Sequence, residues 1–326
     1  MRLIILLITL GLSNSLLSQD TRYTQFFNNT LFLSPATAGS AYNETYKGGS
    51  VFMGYRNQWS KMKEPFQSIT LSGDWNVSDN FGNLGILINQ DQAGASAFRC
   101  LSFNALYAYS LPLDRSQRWN ARFGLQVGMQ NSNLNFNKLR FEDQIDPLVG
   151  VYQPTQEGLT GQSESYFNTA VSGIIHNEKI HIGYSLHNLN APSYQFLTNG
   201  NPISVPRRHT IFVGAKLKSI TNQVIHLDAM YTNQRKFNDF IAGLRLNFGA
   251  PEFGFYYRRS MFNNSTSDAV SMLLGANIGR YKISYSGDFT VSELSNSLPF
   301  SSEISVKYHF DNSSIRSYRN IELPLY

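Results

Sequence analysis

Period-2 alternation repeated along nearly the whole chain, a low charge fraction paired with many aromatics, and connections sorted by length predict an all-β protein. The specific expectation is an up-and-down antiparallel outer-membrane β-barrel of about fourteen strands. Only 15% of the 326 residues are charged and 13% are aromatic, against a usual charged share of about a quarter in soluble domains.

Composition removes several other classes. The single cysteine excludes an intramolecular disulfide scaffold and any cysteine-rich zinc or iron–sulfur site. Mean hydropathy is −0.26, and beyond the N-terminus no apolar run is long enough for a membrane-spanning helix. With 18 Tyr, 23 Phe and 3 Trp, disorder is excluded as well. The net charge of +5 is dispersed, with Arg207-Arg208 and Arg258-Arg259 as its local pairs, so no dense patch for nucleic acid exists.

Met1-Arg2, the apolar run Leu3 to Leu12 and the small residues up to Ser18 read as a secretory signal peptide, residues 1–18. A buried N-terminal strand or anchor helix is the competing reading. No cysteine follows, which excludes a lipoprotein. Residues 19–44 form an N-terminal periplasmic or plug-like segment, 45–310 the barrel, and 311–326 a periplasmic C-terminal tail.

Strands are expected near 45–58, 65–76, 83–91, 96–109, 119–134, 165–176, 179–187, 207–217, 223–232, 240–248, 251–260, 268–278, 280–287 and 301–310. The hairpin around Asn177-Glu178 is the clearest. Before it, Phe167, Thr169, Val171, Gly173 and Ile175 share one face; after it, Ile180, Ile182, Tyr184 and Leu186 do. Most of these segments have the eight to twelve residues of a tilted membrane strand, within about the length a barrel needs. Even-to-odd connections are mostly tight, whereas the longest (135–164, 188–206, 288–300) are odd-to-even. That sorting fits short periplasmic turns and long external loops. Trp59, Trp75, Tyr109, Trp119, Tyr257 and Tyr308 sit near strand ends, where interfacial girdles belong. A soluble two-sheet sandwich leaves the sorting and the scarcity of charge unexplained. Closure follows because an open sheet edge in hydrocarbon strands unpaired N–H and C=O groups.

Several motifs stand in a fixed order. Gln19 to Gly39 reads QDTRYTQFFNNTLFLSPATAG, followed by Tyr55-Arg56-Asn57-Gln58-Trp59 and by Gly85 to Gly94, GILINQDQAG. Further along come Phe123-Gly124-Leu125-Gln126, Phe136 to Asp146, Gly183 to Leu189 with Pro192, Arg207-Arg208-His209, Tyr285 to Phe289 and Ser302 to Val306. The set resembles the PorP/SprF family of type IX secretion system outer-membrane proteins over essentially all of the mature chain. Ser34-Pro35-Ala36 replaces that family's Asn-Pro-Ala, and Asn89-Gln90-Asp91 spreads its Asn-Asp pair. The resemblance implies a non-enzymatic outer-membrane component without cofactor. Its implied partners are a periplasmic ring lipoprotein of the secretion machine, or a large secreted adhesin with a type B C-terminal domain that it helps export and hold at the surface.

Candidate partner-binding residues lie in loops and termini. Phe26, Phe27, Asn28 and Pro35 belong to the segment before the first strand. That segment tucks into the lumen or contacts a partner on one reading, and packs on the periplasmic rim on the other. Pro35 with Gly39 indicates a fixed bend. Phe141, Asp143 and Asp146 open the longest loop beside Arg140 and Glu142. The oxygen-rich spacing lacks EF-hand order, so Arg–carboxylate pairing within an external loop is favoured over calcium. Pro192 follows the seventh strand. Arg316 and Arg319 lie in the C-terminal tail, either a tether for a periplasmic component or a frayed terminus. The last strand ends Ser305-Val306-Lys307-Tyr308-His309-Phe310, which resembles the signal read by outer-membrane insertion machinery. The six histidines are scattered without metal-site spacing. No G-x-S-x-G elbow, phosphate loop or dinucleotide fingerprint occurs. The functional expectation is a secretion or gliding component in the outer membrane, in contact with lipid; a passive or substrate-selective porin is the alternative.

Overall fold

The computed structural model describes residues 21–40, 48–62, 65–78, 81–93, 98–116, 118–136, 144–146, 150–151, 163–196, 202–218, 223–262, 265–291 and 300–311. The strands are β1 (Gly48–Gln58), β2 (Phe66–Ser78), β3 (Gly82–Ala93), β4 (Phe98–Pro112), β5 (Asn120–Leu134), β6 (Ser163–His176) and β7 (Ile180–His187). They continue with β8 (Arg208–Lys218), β9 (Val224–Gln234), β10 (Phe237–Asn247), β11 (Pro251–Phe262), β12 (Ser265–Ile278), β13 (Tyr281–Thr290) and β14 (Phe300–Asp311). Each pairs antiparallel with its neighbours in sequence, and β14 closes on β1 with Gly48 opposite Asp311 and Tyr55 opposite Ile304. The result is a closed fourteen-stranded barrel. Two further two-residue pairs, Ile145–Asp146 with Gly150–Val151 and Ser193–Tyr194 with Ile203–Ser204, lie in the long connections.

Alternation along each strand sets the two surfaces. Phe103, Leu125, Val127, Phe167, Ile182, Phe255 and Leu274 point outward and are exposed, Phe167 at 68%. Their register partners in between, such as Asn104, Gln126, Asn168, His181 and Ser271, are buried. In water such an exposed apolar belt would be a liability; against hydrocarbon it is the favourable face, and closure satisfies the backbone. Among the described residues no helix is long and apolar enough to cross a membrane, so any crossing is made by strands.

The turns on one end are short for local reasons. Asn177 accepts at Oδ1 from the backbone N–H groups of Lys179 and Ile180, both at 2.8 Å, closing β6 onto β7. Gly249 (φ 93°) and Gly279 (φ 58°) take the left-handed backbone that tight turns need without a Cβ clash. On the other end, β9 and β10 are joined by Arg235-Lys236 alone, with Arg235 at φ 54°. These strands extend further than the sequence indicated, because an arginine at a left-handed position gives no turn signal.

Candidate functional site

The barrel's interior is occupied by its own N-terminal segment. Residues 21–40 run as an irregular chain with one helical turn (Thr30–Leu33) and a 3-10 turn (Pro35–Thr37). Phe27, Ala36, Ala38, Thr24, Gln25, Ser34 and Thr37 are all completely buried. The segment begins against the strand ends that bear the long connections, where Thr21 hydrogen-bonds Ser68 on β2 at 3.0 Å and donates to Asp91 on β3. It leaves against the opposite ends of the strands, those with the short turns, where the Gly39 N–H donates to Asp74 at 2.7 Å.

An ionic cluster holds the outer part. Arg56 on β1 lies 2.8 Å from Asp288 on β13 and 3.2 Å from Glu303 on β14. Thr24 sits between them, its hydroxyl donating to Asp288 at 2.8 Å and its N–H to Glu303 at 2.9 Å. Arg258 on β11 donates to the Tyr23 carbonyl at 2.9 Å, while Arg22 reaches Asp239 on β10 at 3.0 Å. Carboxylates and guanidiniums this deeply buried persist only when paired and hydrogen-bonded, and here the segment completes the set.

The middle is aromatic. Phe27 stacks on Tyr256 with centroids 5.6 Å apart and planes 13° apart, and the Arg245 guanidinium lies 3.8 Å from the centre of its ring. Arg245 in turn bridges Asp228 and Glu252, each at 3.0 Å, and Lys282 meets Glu252 at 2.9 Å. Phe26, Phe27, Leu33 and Ala36 pack with Ile174, Phe212, Met230, Ile241 and Leu273, apolar side chains standing in the inward register of β6, β8, β9, β10 and β12. On the opposite wall, Leu31 and Ala38 pack with Leu87, Leu106 and Ala108.

The part nearest the short turns is held through its backbone. The Ala36 N–H donates to Ser172 at 2.8 Å, and Arg122 donates to the carbonyls of Ala36, at 2.8 Å, and Ala38. Gly124 faces this stretch, and a Cβ there would overlap the Ala36 backbone nitrogen. Close backbone approach therefore explains the glycine.

Of the candidate residues, Phe26, Phe27, Asn28 and Pro35 come together inside the barrel, with Asn28 donating to Ser284 at 3.2 Å. Pro192 lies apart, half-buried at the base of the Ser193–Tyr194 hairpin, its carbonyl accepting from the Val205 N–H at 2.8 Å. Phe141, Asp143, Arg316 and Arg319 lie outside the described residues, as do residues 1–18; Asp146 pairs through its backbone with Gly150. Sequence reasoning missed an aromatic group at the long-connection end, where Tyr166 of β6 and Tyr194 of the connection after β7 stack 5.5 Å apart at 3° beside Phe136 and Phe196. It also missed the inward apolar seat, whose signal is the doublets Ile174-Ile175, Phe212-Val213, Phe240-Ile241 and Leu273-Leu274. Five of the histidines are buried in the lumen, and His209 faces outward. No cluster of three metal-ligating side chains occurs among the described residues.

A closed barrel with an apolar belt, a polar interior and a seated internal segment defines an outer-membrane β-barrel protein. The chain belongs to the PorP/SprF family of type IX secretion system membrane proteins, which it matches over residues 15–308. It is a membrane component of that system and partners its machinery. No curated protein matches the chain in sequence. Among solved structures, the CymD monoaromatic hydrocarbon channel is similar at TM-score 0.53 and 11% identity, covering 87% of this chain and 93% of that one. The P. putida toluene transporter TodX follows at 0.52 and 8%, with 87% and 94% covered. The Ralstonia pickettii toluene transporter TbuX stands at 0.51 and 9%, with the same coverage. At such identities these likenesses show the fold alone.

Proposed function

We infer that this protein is a plugged, non-enzymatic adaptor of type IX secretion. Its external connections grip the C-terminal domain of a secreted surface adhesin, of type B, and its periplasmic side docks ring lipoproteins of the machine. The observation that supports an adaptor over a porin is the occupied lumen. A solute-conducting pore needs a hydrated path, whereas here buried ion pairs and two apolar clusters tie residues 21–40 to opposite walls. The stacking of Tyr194 on Tyr166 of β6 ties the connection after β7 to the barrel wall, and a pre-organised surface binds at lower entropic cost. The family resemblance supplies the adhesin and the ring lipoproteins as partners. Arg56, Asp288, Glu303, Arg122 and Ser172 of the wall are engaged in holding the segment, which favours a structural over a catalytic role. The test is a deletion strain scored for surface display. Loss of a type B adhesin from the surface, restored by the intact gene, supports the reading; normal display of every such adhesin overturns it.

A further inference from the structure

Beside the plug, in the outer half of the lumen, lies a cavity of about 50 Å³ that the adaptor reading does not use. Its walls come from β3 to β8, and Phe32 of the plug forms one side. Three of its side chains are more than nine-tenths buried yet carry unpartnered polar atoms: both ring nitrogens of His187, Oε1 of Gln126 and Oδ1 of Asn168. The amide group of Gln126 is oriented by its other end, since Nε2 donates to Asn104 at 3.0 Å. Its carbonyl oxygen is thereby left for whatever fills the space. Orphaned polar groups at this depth are costly, so a polar occupant is demanded. Here the unmet groups converge on one space, where a single polar occupant can meet them together.

The chemistry of the lining narrows the occupant. Two carbonyl oxygens require donors, and a neutral imidazole offers one N–H and one lone pair. Asp91 and Arg208 both line the space: a carboxylate would face Asp91 and the two carbonyl oxygens, and an ammonium would approach the Arg208 guanidinium, which lies 4.6 Å over the Phe32 ring, so neither charge sign suits the whole lining. Hydroxyl groups satisfy both kinds of need without a charge, because each donates once and accepts as well. At about 10–15 Å³ per water-sized position, the space takes three or four such groups. We propose that Gln126, Asn168 and His187 form a binding site for a small neutral polyol of glycerol size, in the outer half of the lumen.

Ordered water shares this hydrogen-bonding chemistry, and the experiment separates the two. The probe is glycerol, measured by saturation-transfer NMR on the detergent-solubilised full-length mature barrel, alongside a crystal structure of the same protein grown with glycerol. The expected result is glycerol seated on the three side chains. Affinity should fall by about fivefold for each hydrogen bond removed in Gln126→Met or Asn168→Leu, with heat-modifiable migration confirming a folded barrel. If a variant fails to fold, the wild-type crystal structure still decides. Waters alone in the cavity, or glycerol binding that both folded variants leave unchanged, would overturn the proposal.

Discussion

The guanidinium of Arg245 lies 3.8 Å above the ring of Phe27 while bridging Asp228 and Glu252, so one wall residue joins the plug to the barrel's ionic interior. Arg245→Met leaves the two carboxylates with Tyr256 and Lys282 as their remaining partners, at a cost of about 3–5 kcal/mol. Phe27→Ala removes a fully buried ring, costing about 3–5 kcal/mol. Urea unfolding followed by heat-modifiable electrophoresis measures both. Because the two side chains share a contact, the double variant should lose less than the sum.

Gly124→Ala places a Cβ on the backbone of Ala36, and neither atom belongs to a flexible side chain. Displacement of residues 34–38 is the expected outcome, seen as new protease cleavage within the segment. Gly173→Ala is the control: the nearest atom to its Cβ is 4.0 Å away, and the expected change is within about 0.5 kcal/mol.

The direction of the plug has its own test. Thr21 is half-buried at the outer end and Ala38 fully buried near the periplasmic end. In intact cells an impermeant maleimide should label Thr21→Cys and spare Ala38→Cys. Labelling of Thr21→Cys only after the outer membrane is opened would reverse the orientation.

On the connection after β7, Tyr194 carries a phenol pushed up to about 12, by burial first and then by the charge of nearby Cys100. The folded connection thus favours the neutral phenol. Its contribution is complete below pH 10, the ordinary phenol value, and is lost as pH rises from 10 towards 12. Ultraviolet titration of the protein against Tyr194→Phe should show one late-ionising tyrosine missing from the variant.

Much of the barrel was legible because lipid on one side and a polar lumen on the other impose strict alternation, as in Ile180, Ile182 and Tyr184 against His181, Gly183 and Ser185. The plug was harder to read. Tyr23 to Gly39 has neither helical nor strand period, and its fixed points are distant: Thr24 bonds residues 288 and 303, and Ala36 bonds residue 172. The charges Arg56, Asp288 and Glu303 each look unremarkable within their strands. Only closure of β14 on β1 brings Glu303 opposite Arg56. Likewise Phe212 and Ile241 break the polar register in a way that means little until Phe26 and Phe27 are set against them.

The central claim, that residues 21–40 seal the lumen, is tested most directly by planar-bilayer conductance of the purified mature barrel beside a variant lacking residues 21–40. The account requires a silent full-length protein and steady ohmic current from the deletion variant. Equal steady current from both would contradict it.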